Sequence, residues 1–345
     1  MGVDKKKVRL DEVTFMRTIL ALLIVFMHSF TCYDGCWRQP AGYVDIPIYK
    51  WLARFSFAYT LEAFVFISGY LFAFQRITLN RIENGIKLTV NKLKRLILPS
   101  IIFSALYFIL FYEYNDIGDT IYSIINGCGH MWYLPMLFWC FIGGWLIEQV
   151  KIKDHWKLAI LIALNLLSYI SLPLRLSNAF TFMVYFYGGF LFYKYSDKIK
   201  PLITKKFVII SWIVFVALFV FFRPLRDMLT VEAADSRIQK LLSSIGNHTC
   251  QLLYAWAGLI AFYATAVYYT QLHQLSKVTI RIASCCFGIY LFQQFVLQLL
   301  YYKTELPLFI GAYCLPWCGF LIAAIVSYTL SELLLKTKAG RFLIG

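Results

Sequence analysis

The feature that most constrains this chain is its series of long apolar runs. Residues 20–27, 98–111 and 207–222 contain no charge, and similar runs recur along the sequence. A run of about 18 or more apolar residues is long enough to cross the hydrocarbon core of a bilayer as a helix. No water is available there, so each backbone N–H and C=O must be satisfied within the segment, which selects helix over irregular chain. Composition agrees: the chain is 60% hydrophobic and 15% charged, against about 45–50% apolar in an ordinary soluble domain. The expected fold class is therefore all-α, a polytopic membrane helix bundle forming one membrane-embedded domain over residues 1–345.

Ten spans are expected, at roughly 13–32, 55–75, 96–113, 131–149, 157–173, 179–195, 207–223, 250–271, 283–302 and 308–335. Asn165 and Ser168 interrupt the fifth, and residues 224–249 read as a polar loop. The net charge of +15 would suggest nucleic acid in a soluble chain. Here most of the 33 Lys and Arg fall in alternate loops when both termini are placed in the cytoplasm, as the positive-inside rule requires. The lipid bilayer, not nucleic acid, is thus the expected partner. The apolar stretch near 18–30 has no small-residue cleavage site after it and reads as a permanent helix. No internal repeat is evident, which argues against an inverted-repeat transporter. Nine cysteines are expected mainly as small packing residues, as buried Cys often is.

An ionisable group inside a span costs a few kcal/mol, about 2.5–3.5 on insertion scales, and so needs a reason. Arg17 and His28 lie eleven residues apart in the first span. Eleven steps of about 100° return to the same stripe of the helix, roughly 16 Å further along its axis. Such a stripe must face a cavity or the bundle interior. His28 has the chemistry of a general base, and Arg17 can hold an anion. The plainer alternatives are that Arg17 snorkels to headgroups and that His28 bonds a neighbouring helix. Glu62 is the next buried candidate, able to orient His28 as a carboxylate does in a hydrolytic triad, or simply to sit protonated in the bundle. Gly69, seven residues on, shares its face and permits close approach by another helix or a ligand.

Gly129-His130-Met131-Trp132-Tyr133-Leu134-Pro135 opens the fourth span. His130 is a second candidate for catalysis or substrate binding, and Trp132 and Tyr133 are candidates to stack on a sugar ring; an aromatic belt is the plainer reading. Tyr290, Gln294 and Gln298 form an i, i+4, i+8 polar stripe suited to hydrogen bonds between helices. Lys92, Lys94 and Arg95 precede the third span, either as a positive-inside anchor or as ligands for the phosphates of a nucleotide-bearing cofactor.

Together these elements resemble the acyltransferase family 3 membrane proteins, along essentially the whole chain. Arg-x10-His matches Arg17 and His28. An acid followed by Phe-rich sequence and Ser-Gly is similar to Glu62 through Gly69. A basic pair before a proline resembles Lys92, Arg95 and Pro99. His130 to Pro135 and the Ile-Tyr-Leu-Phe run at 289–292 resemble two further motifs. The chain departs from the pattern at Gln293, where the family often has His, and at Lys92, where Arg is common.

The resemblance implies transfer of an acyl group, acetyl being favoured, from a coenzyme A thioester to a hydroxyl of a cell-envelope sugar or lipid-linked glycan, in a bacterial plasma membrane. Acetyl-CoA or another acyl-CoA is the implied donor, and no metal is implied. Catalysis would fall to His28, Glu62 and Arg17, donor binding to Lys92, Arg95 and Arg17, and acceptor binding to His130, Trp132 and Tyr133. A transporter or exporter of a small polar solute is the competing expectation from the same intramembrane charges.

Overall fold

The described residues of the expected spans are mainly helical, and no strand occurs among the described residues. A computed structural model describes residues 9–82, 84–114, 116–166, 168, 172–229 and 236–344. Its principal helices are α1 (Asp11–Ser29), α2 (Pro47–Phe57), α3 (Thr60–Ala73), α4 (Gly85–Lys92), α5 (Leu98–Phe111), α6 (Ile117–Asn126) and α7 (Tyr133–Ile147). They continue with α8 (Asp154–Leu166), α9 (Leu176–Lys194), α10 (Lys205–Met228), α11 (Arg237–Leu272), α12 (Lys277–Tyr302), α13 (Leu315–Leu335) and α14 (Lys338–Ile344).

Among the described residues, eight helical segments are long and apolar enough to cross a membrane, where ten spans were expected. The other two expected spans correspond to α8 and α9. The described part of helix α8 has 13 residues, about 20 Å at 1.5 Å per residue, against a hydrocarbon core of roughly 30 Å. Residues 167 and 169–171, within the expected fifth span, lie outside the described residues. The polar groups that interrupt that span bond to α9: Asn165 donates to the Thr181 carbonyl at 2.6 Å, and Ser168 meets the Thr181 hydroxyl at 2.8 Å. Helix α9 is 19 residues long and carries tyrosines and paired glycines that dilute its hydropathy.

Two expectations are corrected. The expected polar loop at 224–249 is largely helical, because α10 runs on to Met228 and α11 begins at Arg237 under a Ser236 capping box. The tenth span begins at Leu315, since the chain turns at Gly311 in a left-handed conformation (φ 77°).

Helix α1 occupies the middle of the bundle. It packs chiefly on α12 and also touches α2, α3, α11 and α13. Its first turn is anchored by Glu12, which accepts from Tyr70 Oη and pairs with Lys200 Nζ, both at 2.8 Å. The most extensive helix contact is that of α3 with α9. A Cβ on Gly69 would overlap the Phe186 carbonyl, and one on Gly189 would overlap the Phe66 carbonyl. Each helix therefore uses a glycine to admit the other's backbone. The helical path widens into π turns over Phe74–Thr78 and Leu93–Ile97. The second precedes Pro99, which has no N–H to give the carbonyl of Arg95 four residues back.

Candidate active site

Arg17 and His28 point into the bundle from α1. His28 is buried, and its Nδ1 lies 3.0 Å from the Ile24 carbonyl, one turn back. A carbonyl only accepts, so Nδ1 carries the hydrogen and the neutral ring keeps its lone pair on Nε2. Trp37 stacks on the ring at 5.8 Å with an interplanar angle of 13°, and Phe57 meets it edge-on at 6.3 Å.

The segment before α7 delivers a second imidazole. Gly127 and Gly129 take positive φ of 85° and 54°, conformations that a side chain rarely tolerates. A Cβ at Gly129 would also meet the Tyr107 ring at 2.7 Å. The tight Gly129–Trp132 turn that follows buries His130. Its Nε2 lies 3.1 Å from the Leu291 carbonyl, and Tyr290 Oη donates to the His130 carbonyl. Nε2 thus carries the hydrogen, and Nδ1 is left without a hydrogen-bond partner among the described residues. The two rings are 6.2 Å apart between centroids. Both open on a cavity of about 830 Å³ that also takes in Trp37, Trp132, Gln294 and Gln298.

Two further cavities lie towards the basic end of the bundle. One, of about 760 Å³, is lined by Arg81, Lys87, Lys92 and Arg95, with Gln75 from the first π turn and no carboxylate among its described lining residues. Lys92 Nζ sits 3.3 Å from the centre of the Phe141 ring, a cation–π placement that holds the ammonium without an acid. The other, about 240 Å³ and mostly apolar, is lined by Arg17, Leu96, Leu134, Cys286 and the rings of Tyr133 and Tyr290. Arg17 reaches the Cys286 thiol and has no ion pair among the described residues. Leu96 directly follows Arg95 of the basic cavity. Tyr290, on the far wall, stands 5.1 Å from the His130 ring. The apolar cavity therefore adjoins the basic one at the Arg95–Leu96 step and the histidine cavity at Tyr290, and α1 lines the apolar one with Arg17 and the histidine one with His28.

The structure brings together His28, His130 and Trp132 on one cavity, Lys92 and Arg95 on the second, and Arg17 and Tyr133 on the third. Two residues stand elsewhere than expected. Glu62 is not hydrogen-bonded to His28: Gln251 Nε2 donates to Glu62 Oε1 at 2.8 Å, tying α3 to α11, while the Ile24 carbonyl orients the imidazole. Tyr133 faces the apolar cavity rather than the one that holds Trp132. The sequence offered no signal for Trp37, which reaches His28 from a non-helical segment. Gln293 stood out only as a departure from a motif, and it lies against the His28 ring. All nine cysteines are free thiols. Among the described residues, no group of three or more His, Cys, Asp or Glu is placed to hold a metal ion.

A family model described as an acyltransferase domain, that of acyltransferase family 3, matches residues 10–336. No curated protein and no solved structure matches the chain. The match spans nearly the whole sequence, so the chain belongs to acyltransferase family 3: it is a multi-pass membrane acyltransferase.

Proposed function

We propose that the protein transfers an acyl group, acetyl in the simplest case, from a coenzyme A thioester to a hydroxyl of a cell-envelope sugar or lipid-linked glycan. The observation that carries this reading is the succession of cavities, basic, then apolar, then polar and aromatic, with His28 on the last. An acyl-CoA has the same order of parts: a polyanionic nucleotide, a slender pantetheine arm and a thioester. Lys92 and Arg95 would take the phosphates as charge-assisted hydrogen-bond donors. The arm would pass Arg17, Tyr133 and Tyr290, and the thioester would arrive beside His28. The basic cavity then faces the cytosol, as the charge distribution of the loops requires, and the acceptor enters from the opposite side.

In the transfer, Nε2 of His28 takes the hydroxyl proton as the acceptor oxygen bonds to the thioester carbon. The C–S bond breaks, and the leaving thiolate is protonated to give free coenzyme A. The reacting atoms must be held about 3–3.5 Å apart for this step to be fast. Stacking of Trp37 on the imidazole and the Ile24 carbonyl on Nδ1 limit how the ring can turn. Trp132 offers the acceptor an aromatic face, and His130 lies within one ring's reach of the same point. Glu62 is assigned to fastening α3 to α11 behind Tyr133 rather than to contact with the reacting atoms. The test is label transfer from acetyl-CoA to envelope glycans by the purified protein. Uptake of glycan by proteoliposomes without any acyl donor, and without label transfer, would favour a transporter instead.

A further inference from the structure

The histidine cavity carries charge that acyl transfer by His28 does not use. Arg38 and Lys303 both line it, and both are exposed. Neither has an ion pair among the described residues. Glu113 is the one carboxylate among the described lining residues, and it is paired with neither cation. Tyr302, which ends α12, holds Arg38 in two ways. Its hydroxyl donates to the Arg38 carbonyl at 2.7 Å, and the guanidinium lies over its ring, 4.4 Å from the centre. A guanidinium seated on a ring is held without an acid, so its N–H donors remain for an oxyanion. The preceding residue, Trp37, stacks on His28. Two consecutive residues thus join a cationic site to the imidazole.

The same cavity also borders lipid. Its wall includes Ile109 and Leu110 of α5, which are 76% and 41% exposed. Leu98, Ile102, Leu106 and Ile109 recur along α5 at helical spacing and are all exposed, so they form one stripe. Helix α5 belongs to a segment long and apolar enough to cross a membrane, and its exposed apolar stripe faces hydrocarbon. That stripe ends on the cavity wall. Just beyond it, α6 packs on α5. Ile117, Ile121 and Ile125 are exposed along one side of α6, and Asp119 and Ser123 occupy the other. A short helix of this pattern lies flat in the membrane surface. An unlinked glycan has no use for an apolar wall, and a lipid tail has no use for two unpaired cations. A lipid-borne phosphate uses both.

We infer that the acceptor enters sideways from the membrane as a glycan joined through phosphate to a lipid. Its phosphate rests on Arg38 and Lys303, and its tail leaves past Ile109 and Leu110. The inference rests on the proposed acyl transfer at His28 and selects the lipid-linked member of the two acceptor classes named there. Charge-assisted hydrogen bonds from Arg38 and Lys303 offset the cost of bringing a phosphate beside hydrocarbon. The sugar next to the phosphate then lies inside the cavity, between the Trp132 face and the His28 imidazole. Lateral entry also keeps the acceptor's path apart from that of the thioester, which arrives past Arg17.

Two measurements on the full-length protein test this, with Arg38→Gln and Lys303→Gln beside the wild type. Both side chains are exposed, so the variants should melt like the wild type. The first is binding of a polyprenyl phosphate against the polyprenol of equal length, titrated in detergent and read by native mass spectrometry. The wild type should bind the phosphate about tenfold or more tightly than the alcohol, and each variant should lose most of that preference. The second is label transfer from acetyl-CoA to envelope glycan still on its lipid phosphate, against the same glycan released by mild acid. The wild-type KM should be lower by about tenfold or more for the lipid-linked form, and the variants should lose that advantage. Equal binding of phosphate and alcohol by the wild type, equal KM for the two glycans, or variants that keep both preferences would overturn the inference while leaving acyl transfer intact. Variants that weaken both glycan forms equally would place an acidic sugar on Arg38 and Lys303 and overturn it too. Absence of transfer from any acyl-CoA, with selective binding of the phosphate retained, would instead overturn the acyl-CoA reading, and with it the lipid's part as acceptor.

Discussion

The imidazoles of His28 and His130 stand 6.2 Å apart at an interplanar angle of 62°, with opposite nitrogens bound to backbone carbonyls. One ring is presented by α1 and the other by the turn that opens α7. Because a carbonyl accepts and never donates, the two rings are held in different tautomers.

The tautomers are directly observable. Nitrogen-15 spectra of histidine-labelled protein in nanodiscs, at a pH where both rings are neutral, should show His28 with its hydrogen on Nδ1 and His130 with its hydrogen on Nε2. His28→Ala and His130→Ala provide the assignments. The same tautomer at both positions would contradict this geometry.

Lys92 and Arg95 line a cavity with no described carboxylate, so a polyanion there would find unpaired donors. Lys92→Gln or Arg95→Gln should raise the KM for acetyl-CoA by about tenfold to a hundredfold, since one charge-assisted hydrogen bond contributes about 1.5–3 kcal/mol. The KM for the glycan should not change. Equal effects on both substrates in steady-state kinetics would place these residues outside the donor site.

The seam between α3 and α9 leaves no room for side chains at Gly69 and Gly189. Gly69→Val or Gly189→Val should destabilise the protein by about 1–3 kcal/mol or prevent folding, because overpacking displaces backbone and not a flexible side-chain tip. The thermal melt in detergent reads this. Gly35 has open space where a Cβ would stand but takes φ of 83°, so Gly35→Ala should show a smaller loss that comes from backbone strain alone.

Cys36 is exposed and borders the cavity of His28 and His130. If that cavity faces outward, a membrane-impermeant maleimide added to intact cells should label Cys36, and the adduct should block glycan acylation. With Cys314, the other exposed cysteine, replaced by Ser in both proteins, Cys36→Ser should escape both effects. Labelling that appears only after cell lysis would reverse the orientation.

Much of this site was legible in the sequence, and the remainder was hidden for identifiable reasons. Helical geometry alone places Arg17 and His28 on one stripe, and α1 keeps them there because it is a regular helix at the centre of the bundle. Gly69 signalled a close approach by another helix or a ligand, but that α9 makes it, with Gly189 answering from its side, no spacing rule could tell. The partner of Glu62 was not, because Gln251 lies on a distant helix and no spacing rule links them. The side of α7 to which Tyr133 turns depends on the irregular turn set by Gly127 and Gly129, which helical periodicity does not describe. Eight segments rather than ten stand out among the described residues because the described part of α8 has only 13 residues and α9 mixes Tyr and Gly among its apolar residues.

The most direct measurement is the initial rate of label transfer from acetyl-CoA to envelope glycan by purified wild-type protein and by His28→Ala. Removal of a general base is expected to lower kcat by about a hundredfold or more. The variant should melt like the wild type and keep its KM for acetyl-CoA. A His28→Ala protein that transfers label at the wild-type rate would contradict the assignment of His28 as the base.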